Sequence, residues 1–98
     1  MSGEDKYRLF LNGDEDAFDG IMREYFDGLI FFINRYVNDP HAAEDIAIDV
    51  FAYIAENRRK YNFKVSLKTY IYMIGKSRTL NLIKHRKRHA AEELHEYI

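Results

Sequence analysis

Apolar residues along this chain recur at intervals of three and four, the signature of helices packed through one face. The longest such run is Phe18, Ile21, Met22, Tyr25, Phe26, Leu29, Ile30, Ile33, Tyr36 and Val37, which predicts a long amphipathic helix of more than about five turns. Asp14 stands at its start as an N-cap, and Glu15 and Asp16 suit the positive end of the helix dipole. A shorter helix is predicted before it, over about Glu4–Asn12, closed by Gly13. Asn38-Asp39-Pro40 breaks the chain, with Asp39 placed to cap the next helix and Pro40 to occupy its first turn. That third helix runs to about Asn57 and carries Ile46, Ala47, Val50, Phe51 and Ile54 on one face, assigned to the core. A loop, Arg58–Val65, leads to Ser66, the N-cap of a fourth helix with the stripe Leu67, Tyr70, Ile71 and Ile74, running to about Arg88. No segment has the period of two that marks a strand. The expected fold is all-α, a compact three- to four-helix bundle. One domain is expected over 1–88, with residues 89–98 as the start of another helix, of a linker or of a truncated C-terminal extension.

Length and composition narrow the function classes. The 98 residues, 47 % of them hydrophobic, suffice for one packed core and little more. With no cysteine, disulfides, thiolate metal sites and a cysteine nucleophile are excluded together. No apolar run approaches the roughly 18 residues that span a bilayer, and the N-terminus lacks a basic-then-apolar leader pattern. A soluble, cytoplasmic protein without a membrane partner is expected. The net charge of −1 conceals a division: residues 1–49 carry 4 basic and 12 acidic side chains, residues 50–98 carry 11 basic and 4 acidic. All 11 of those basic residues fall within 58–88, where no acid occurs. Such a chain can present two surfaces of opposite charge to two different partners.

The third helix has a second apolar seam. Ile48, Ala52 and Ala55 adjoin one another away from the core stripe, flanked by Asp45, Asp49 and Glu56. A narrow apolar seam edged by acids is what docking on a basic partner helix requires, although Ile48 would also suit the edge of the core. The basic half begins with Arg58, Arg59 and Lys60, continues with Lys64 in the loop, and ends in the dense cluster Lys84, His85, Arg86, Lys87 and Arg88. Tyr61 and Phe63 alternate with these charges. Cations can neutralise phosphates while exposed rings stack on unpaired bases, which points to nucleic acid. The plainer alternatives are a solvated charged face and, for Phe63, a plug in the core beneath the loop. Arg78, on the apolar side of the fourth helix, is expected to pair with a carboxylate of the second or third helix. His85 and His89 have the i, i+4 spacing of some zinc pairs but no evident third ligand, so no metal site is assigned. No glycine-rich phosphate loop, no HExxH motif and no nucleophile-and-base arrangement can be picked out, so neither catalysis nor a cofactor is expected.

Three stretches carry a resemblance. Gly13-Asp14-Glu15-Asp16-Ala17-Phe18 is similar to the GDExAF opening of bacterial extracytoplasmic-function (ECF) sigma factors. Asn38–Phe51 resembles their GDPxxAEDLxQExF stretch, and Ser66–Ser77 their SFRxWLYxIARN stretch; Lys84–Arg88 matches their basic end. The likeness covers about residues 5–88 and implies the fold of sigma factor region 2. It further implies that the AED-bearing helix docks on the clamp helices of the polymerase β′ subunit, placing Asp45, Ile48 and Asp49 on that surface. It implies that Tyr61–Ser66 capture a flipped non-template base of the promoter minus-ten element, and that Lys68, Lys76, Ser77 and Asn81 fall on the helix that reads it. Ile48 stands where the family commonly has Gln, Ala55 where an aromatic is frequent, Tyr70 in place of Trp, and Ser77 and Asn81 in place of Asn and Asp. The family carries a further domain that reads the minus-thirty-five element, which the likeness does not reach.

The expected function is that of a non-enzymatic transcription initiation factor domain, binding core RNA polymerase and recognising and melting the minus-ten element. An anti-sigma factor is a further partner that the resemblance admits. The alternative is a helical protein–protein interaction module without DNA binding, its basic helix meeting an acidic partner or only solvent.

Overall fold

A computed structural model describes residues 1–96, and of residues 95 and 96 the backbone alone. Four α-helices follow one another: α1 (Gly3–Leu11), α2 (Glu15–Val37), α3 (Pro40–Glu56) and α4 (Leu67–Glu96), with a single 3₁₀ turn at Arg58–Lys60 after α3. No strand occurs among the described residues, and the fold is the expected all-α bundle.

The helix starts are set by local chemistry. Ser2 and Asp5 form a reciprocal capping box at α1. The Asp14 carboxylate accepts from the Ala17 N–H (3.2 Å) at α2, and Asp39 does the same from Ala42 (3.2 Å) at α3, where Pro40 opens the first turn. Ser66 Oγ accepts from the Thr69 N–H (3.1 Å) at α4. The chain leaves α1 through Gly13 at φ +101°, where glycine has no steric penalty. Each of these caps satisfies backbone donors that a helix start would otherwise leave unpaired.

α2 is the central helix: α1, α3 and α4 all pack on it, and α4 also closes against α3. The core these helices share contains Tyr7, Phe10, Ile21, Leu29, Ile33, Val50, Phe51, Ile54, Leu67 and Ile71, each at most 1 % exposed. Burial of this many large apolar side chains, at roughly 1.5–3 kcal/mol each, is the main force holding the bundle. Phe10 and Phe18 stack with centroids 4.6 Å apart, joining α1 to the start of α2. α4 approaches α2 closely because Gly75 has no side chain; a Cβ there would come within 2.8 Å of a Leu29 methyl. The buried Thr79 hydroxyl is satisfied by donating to the Gly75 carbonyl (2.7 Å).

Two sequence expectations are corrected. The fourth helix does not end near Arg88 but continues unbroken to Glu96. After Gly75 the segment contains neither glycine nor proline, and His89 pairs with Glu93 at 3.3 Å one turn on, so nothing stops the helix. Residues 89–96, for which another helix, a linker or an extension was open, continue the fourth helix itself; residues 97–98 lie outside the described part. Among the described residues Arg78 pairs with no carboxylate of α2 or α3. Its guanidinium lies 5.3 Å from the centroid of the Tyr53 ring on α3.

Candidate functional site

The bundle turns two differently charged surfaces to solvent. On α3, Ile46, Val50 and Ile54 point into the core, which carries the opposite side of the same helix outward. Asp45, Ile48, Asp49, Ala52 and Glu56 are exposed there, and Ala55 is half-buried against the core. Ile48 is 47 % exposed, so it lies beyond the edge of the core and leaves an apolar side chain in water among carboxylates.

The basic surface follows α4. Lys68, Lys76, Ser77, Asn81, Lys84, Arg86, Lys87 and Arg88 are all exposed on it. Between α3 and α4 an open groove of about 560 Å³ is lined by Tyr53, Tyr70, Met73, Ser77, Arg78 and Asn81, among others. Through Ser77 and Asn81 it continues into a second groove of about 460 Å³ along α4, where Leu80, Ile83, Lys84 and Lys87 take over. The lining thus passes from aromatic and apolar to cationic along the helix. Tyr53 and Arg78 were not picked out as groove residues from the sequence. The signal that could have found Arg78 is the spacing of Tyr70, Ile74, Ser77, Arg78 and Asn81 on one face of α4; Tyr53 comes from α3, and no local pattern places it there.

The cations at the end of α3 differ in how free they are. Arg58 is half-buried: its guanidinium sits 4.3 Å above the Phe10 ring and 3.5 Å from a Glu15 carboxylate oxygen. Lys60 reaches back towards Tyr53, 5.6 Å from that ring's centroid. Arg59 and Lys64 are exposed. Arg86 contacts the Asp39 carboxylate at 3.4 Å, tying one member of the C-terminal cluster to the cap of α3. The Asp39 carboxyl is held below its ordinary range, first by the hydrogen bond from the Ala42 amide and further by Arg86.

The loop corrects the sequence reading most sharply. Tyr61, read there as an exposed ring free to stack on a base, is 3 % exposed. Its ring contacts Tyr7, Phe63 and Tyr70, with centroids 5.0, 4.6 and 4.8 Å away, and its hydroxyl donates to the Val65 carbonyl at 2.5 Å. Burial pushes its hydroxyl pKa up. A ring enclosed in this way with its polar end satisfied belongs to the core. Phe63 is half-buried at φ +64°, a left-handed backbone that bulky residues seldom adopt. It packs against the core as the plainer reading had it, while the Arg8 guanidinium covers its ring at 4.4 Å. The solvent edge of the loop is formed by Asn62, Lys64, Val65 and Ser66.

Among the described residues no three acidic, histidine or cysteine side chains gather as metal ligands would, and His85 and His89 stack on one another with centroids 6.3 Å apart. No described helix is long and apolar enough to cross a membrane.

Comparison with known proteins joins these surfaces to a family. The family model for sigma-70 region 2 matches residues 21–89, which include α3, the loop and most of α4. A curated relative, the ECF RNA polymerase sigma factor SigW of Bacillus subtilis (strain 168), is 31 % identical over 75 residues. That stretch covers 76 % of this chain and 40 % of the relative, so the match spans less than half the length of SigW. No solved structure gives a match. On the family match and this relative together, the chain belongs to the sigma-70 region 2 family and is a region-2 domain of the ECF sigma-factor type.

Proposed function

We propose that this domain binds core RNA polymerase through the outward face of α3 and contacts single-stranded promoter DNA of the minus-ten region through the loop edge and α4. Region 2 of sigma factors is a non-enzymatic domain of transcription initiation, so specific binding is the chemistry to be explained. The observation that carries the proposal is a pair of differently charged surfaces: an exposed apolar residue among acids on α3, and, on α4, a basic stretch free of acids as far as Arg88 and bordering a groove. Ile48 would bury its apolar surface on a partner helix, and Asp45 and Asp49 would meet that helix's cations, as on the clamp helices of the β′ subunit. On α4, Ser77 and Asn81 offer hydrogen bonds to base edges, and Lys84, Lys87 and Arg88 offer charge to phosphates. Arg59, Lys64, Lys68 and Lys76 extend the positive path to the loop. Since the Tyr61 ring is enclosed, base capture falls to the Asn62–Ser66 edge and to the groove, rather than to stacking on Tyr61. An anti-sigma factor would compete for the same exposed surfaces.

The test is co-purification of this chain with core polymerase, together with fluorescence anisotropy on a non-template-strand oligonucleotide and on a duplex of the same sequence. Binding to polymerase and preference for the single strand, weakening as salt rises, is the expected result. Binding to polymerase with no DNA affinity at any salt would leave a protein–protein module instead.

A further inference from the structure

α1 lies outside residues 21–89, the part matched by the family model, yet it touches the loop at both ends and in the middle. Glu4, Tyr7 and Arg8 stand at i, i+3 and i+4, so one helix face presents all three. Before the loop, the Tyr7 hydroxyl donates to the Arg58 carbonyl at 2.6 Å. After it, a Glu4 carboxylate oxygen accepts from the N–H of Leu67, the first residue of α4, at 3.2 Å across 63 positions of sequence. In the middle, the Tyr7 ring meets Tyr61 edge-on at 5.0 Å and Phe63 at 5.9 Å, and the Arg8 guanidinium caps Phe63 at 4.4 Å.

Phe63 needs such support. Its left-handed backbone is sparsely populated for an aromatic residue and persists only where its surroundings hold it. Around it the loop has few hydrogen bonds of its own: Lys64 N–H to the Asn62 side chain, and the Tyr61 hydroxyl to Val65. Without α1, the first turn of α4 would lose the side chain that caps the Leu67 amide, and Phe63 would lose the ring and the cation that cover it. The direction in which Asn62, Lys64 and Ser66 face solvent therefore depends on a helix some fifty residues earlier in the chain.

We infer that α1 is a brace for the base-contacting loop, with Glu4, Tyr7 and Arg8 as positioning residues that fix its conformation and, with it, which base it accepts. The consequence for base choice rests on the reading of the loop as a single-strand contact; the brace itself does not. A helix that only filled the core would act through Tyr7 and Phe10 and would be indifferent to an Arg8 side chain or a Tyr7 hydroxyl.

Hydrogen–deuterium exchange on the whole chain separates these cases. The variants Arg8→Ala and Tyr7→Phe leave the buried ring volume in place, and Arg8→Lys restores a cation. Exchange over residues 61–70 should accelerate about two- to fivefold in Arg8→Ala. It should accelerate by about fivefold in Tyr7→Phe, the loss of one hydrogen bond. In Arg8→Ala, whose side chain lies at the surface, α2 and α3 should be unaffected, and Arg8→Lys should recover part of the protection; in Tyr7→Phe the acceleration should be greater over the loop than over α2 and α3. Unchanged exchange in the loop, or an acceleration in Arg8→Ala spread evenly over every helix, overturns the brace. A parallel anisotropy series, with non-template oligonucleotides differing at one base, reads the consequence. Arg8→Ala should lose discrimination between bases while keeping the wild-type dependence on salt. Retained discrimination in a variant whose loop exchanges faster would refute the positioning role. A wild type that shows no discrimination would refute base capture by the loop, and the exchange data would still decide whether α1 braces it.

Discussion

The Tyr61 ring meets the Tyr7 ring edge-on, interplanar angle 74°, although the two residues lie 54 positions apart in the chain. This contact makes Tyr61 part of the core, so its truncation should be felt as lost stability before any binding defect. Tyr61→Ala is expected to cost about 3–5 kcal/mol, the range for removing a large buried ring. That is a large share of the stability of a small domain. Tyr61→Phe keeps the ring contacts and loses only the hydrogen bond to Val65, at about 0.5–1.5 kcal/mol. Urea denaturation of the two variants measures the difference; equal and small losses would mean that the ring is not enclosed.

The contrast between Tyr61 and the helix caps shows what was legible in the sequence. Asp14, Asp39-Pro40 and Ser66 announce helix starts because capping is decided within four residues, and all three act as caps. Ile48 was readable as a second surface because helical periodicity fixes which side chains oppose the core stripe, and 47 % exposure agrees. Tyr61 was not readable in this way. Its neighbours Lys60, Asn62 and Lys64 are exposed, and the alternation looks like a solvated loop. Its burial is decided by Tyr7, Phe63 and Tyr70, of which Tyr7 comes from another helix at a distance no local pattern reveals. Arg78 failed for a related reason: the partner on α3 is an aromatic face, and charge pattern alone points only to carboxylates. α4 runs on past its basic cluster because lysine and arginine are good helix formers and neither glycine nor proline follows Gly75.

For the acidic face, reversing charge is the direct test. Asp45→Lys with Asp49→Lys should weaken binding to a β′ clamp fragment by well over tenfold. Both positions are exposed and neither is a cap, so stability should stay within about 0.5 kcal/mol per substitution. Titration calorimetry with the clamp fragment and thermal unfolding of the free variant give the two readings. Unchanged affinity would remove α3 from the polymerase interface.

Lys87 and Arg86, neighbours in sequence, should behave differently. Lys87 is exposed beside the α4 groove, so Lys87→Ala should lower single-strand affinity for every sequence alike and reduce the salt slope by about 1. Arg86 is engaged by Asp39. Asp39→Asn preserves an N-cap residue but removes the negative charge, which frees Arg86 and should raise DNA affinity modestly, most at low salt. Anisotropy titrations at two salt concentrations measure both. A fall in affinity in Asp39→Asn, with α3 intact by circular dichroism, would show that Arg86 does not face the DNA.

Alkaline unfolding offers a final, independent check on the α1–loop contact. The Tyr7 hydroxyl is pushed up from 10 to about 12, chiefly by burial and next by the neighbouring Tyr70, with Arg58 opposing. Donation to the Arg58 carbonyl requires the protonated phenol. A tyrosine whose pKa is higher folded than unfolded releases its proton first in the unfolded chain. Its contribution is therefore complete below about pH 10 and is lost as pH rises through about 12. A shift of about two units corresponds to at most about 3 kcal/mol over that window. Tyr25, Tyr61, Tyr70 and Tyr72 are raised in the same direction, so the wild type should lose stability steeply there. Tyr7→Phe should start less stable at pH 8 by the missing hydrogen bond, then decline with a shallower slope. Urea midpoints for both proteins at about pH 8, 10 and 11.5 give the comparison. Parallel curves would mean that Tyr7 ionises freely in the folded state, which its burial against Tyr61 and its bond to Arg58 do not allow.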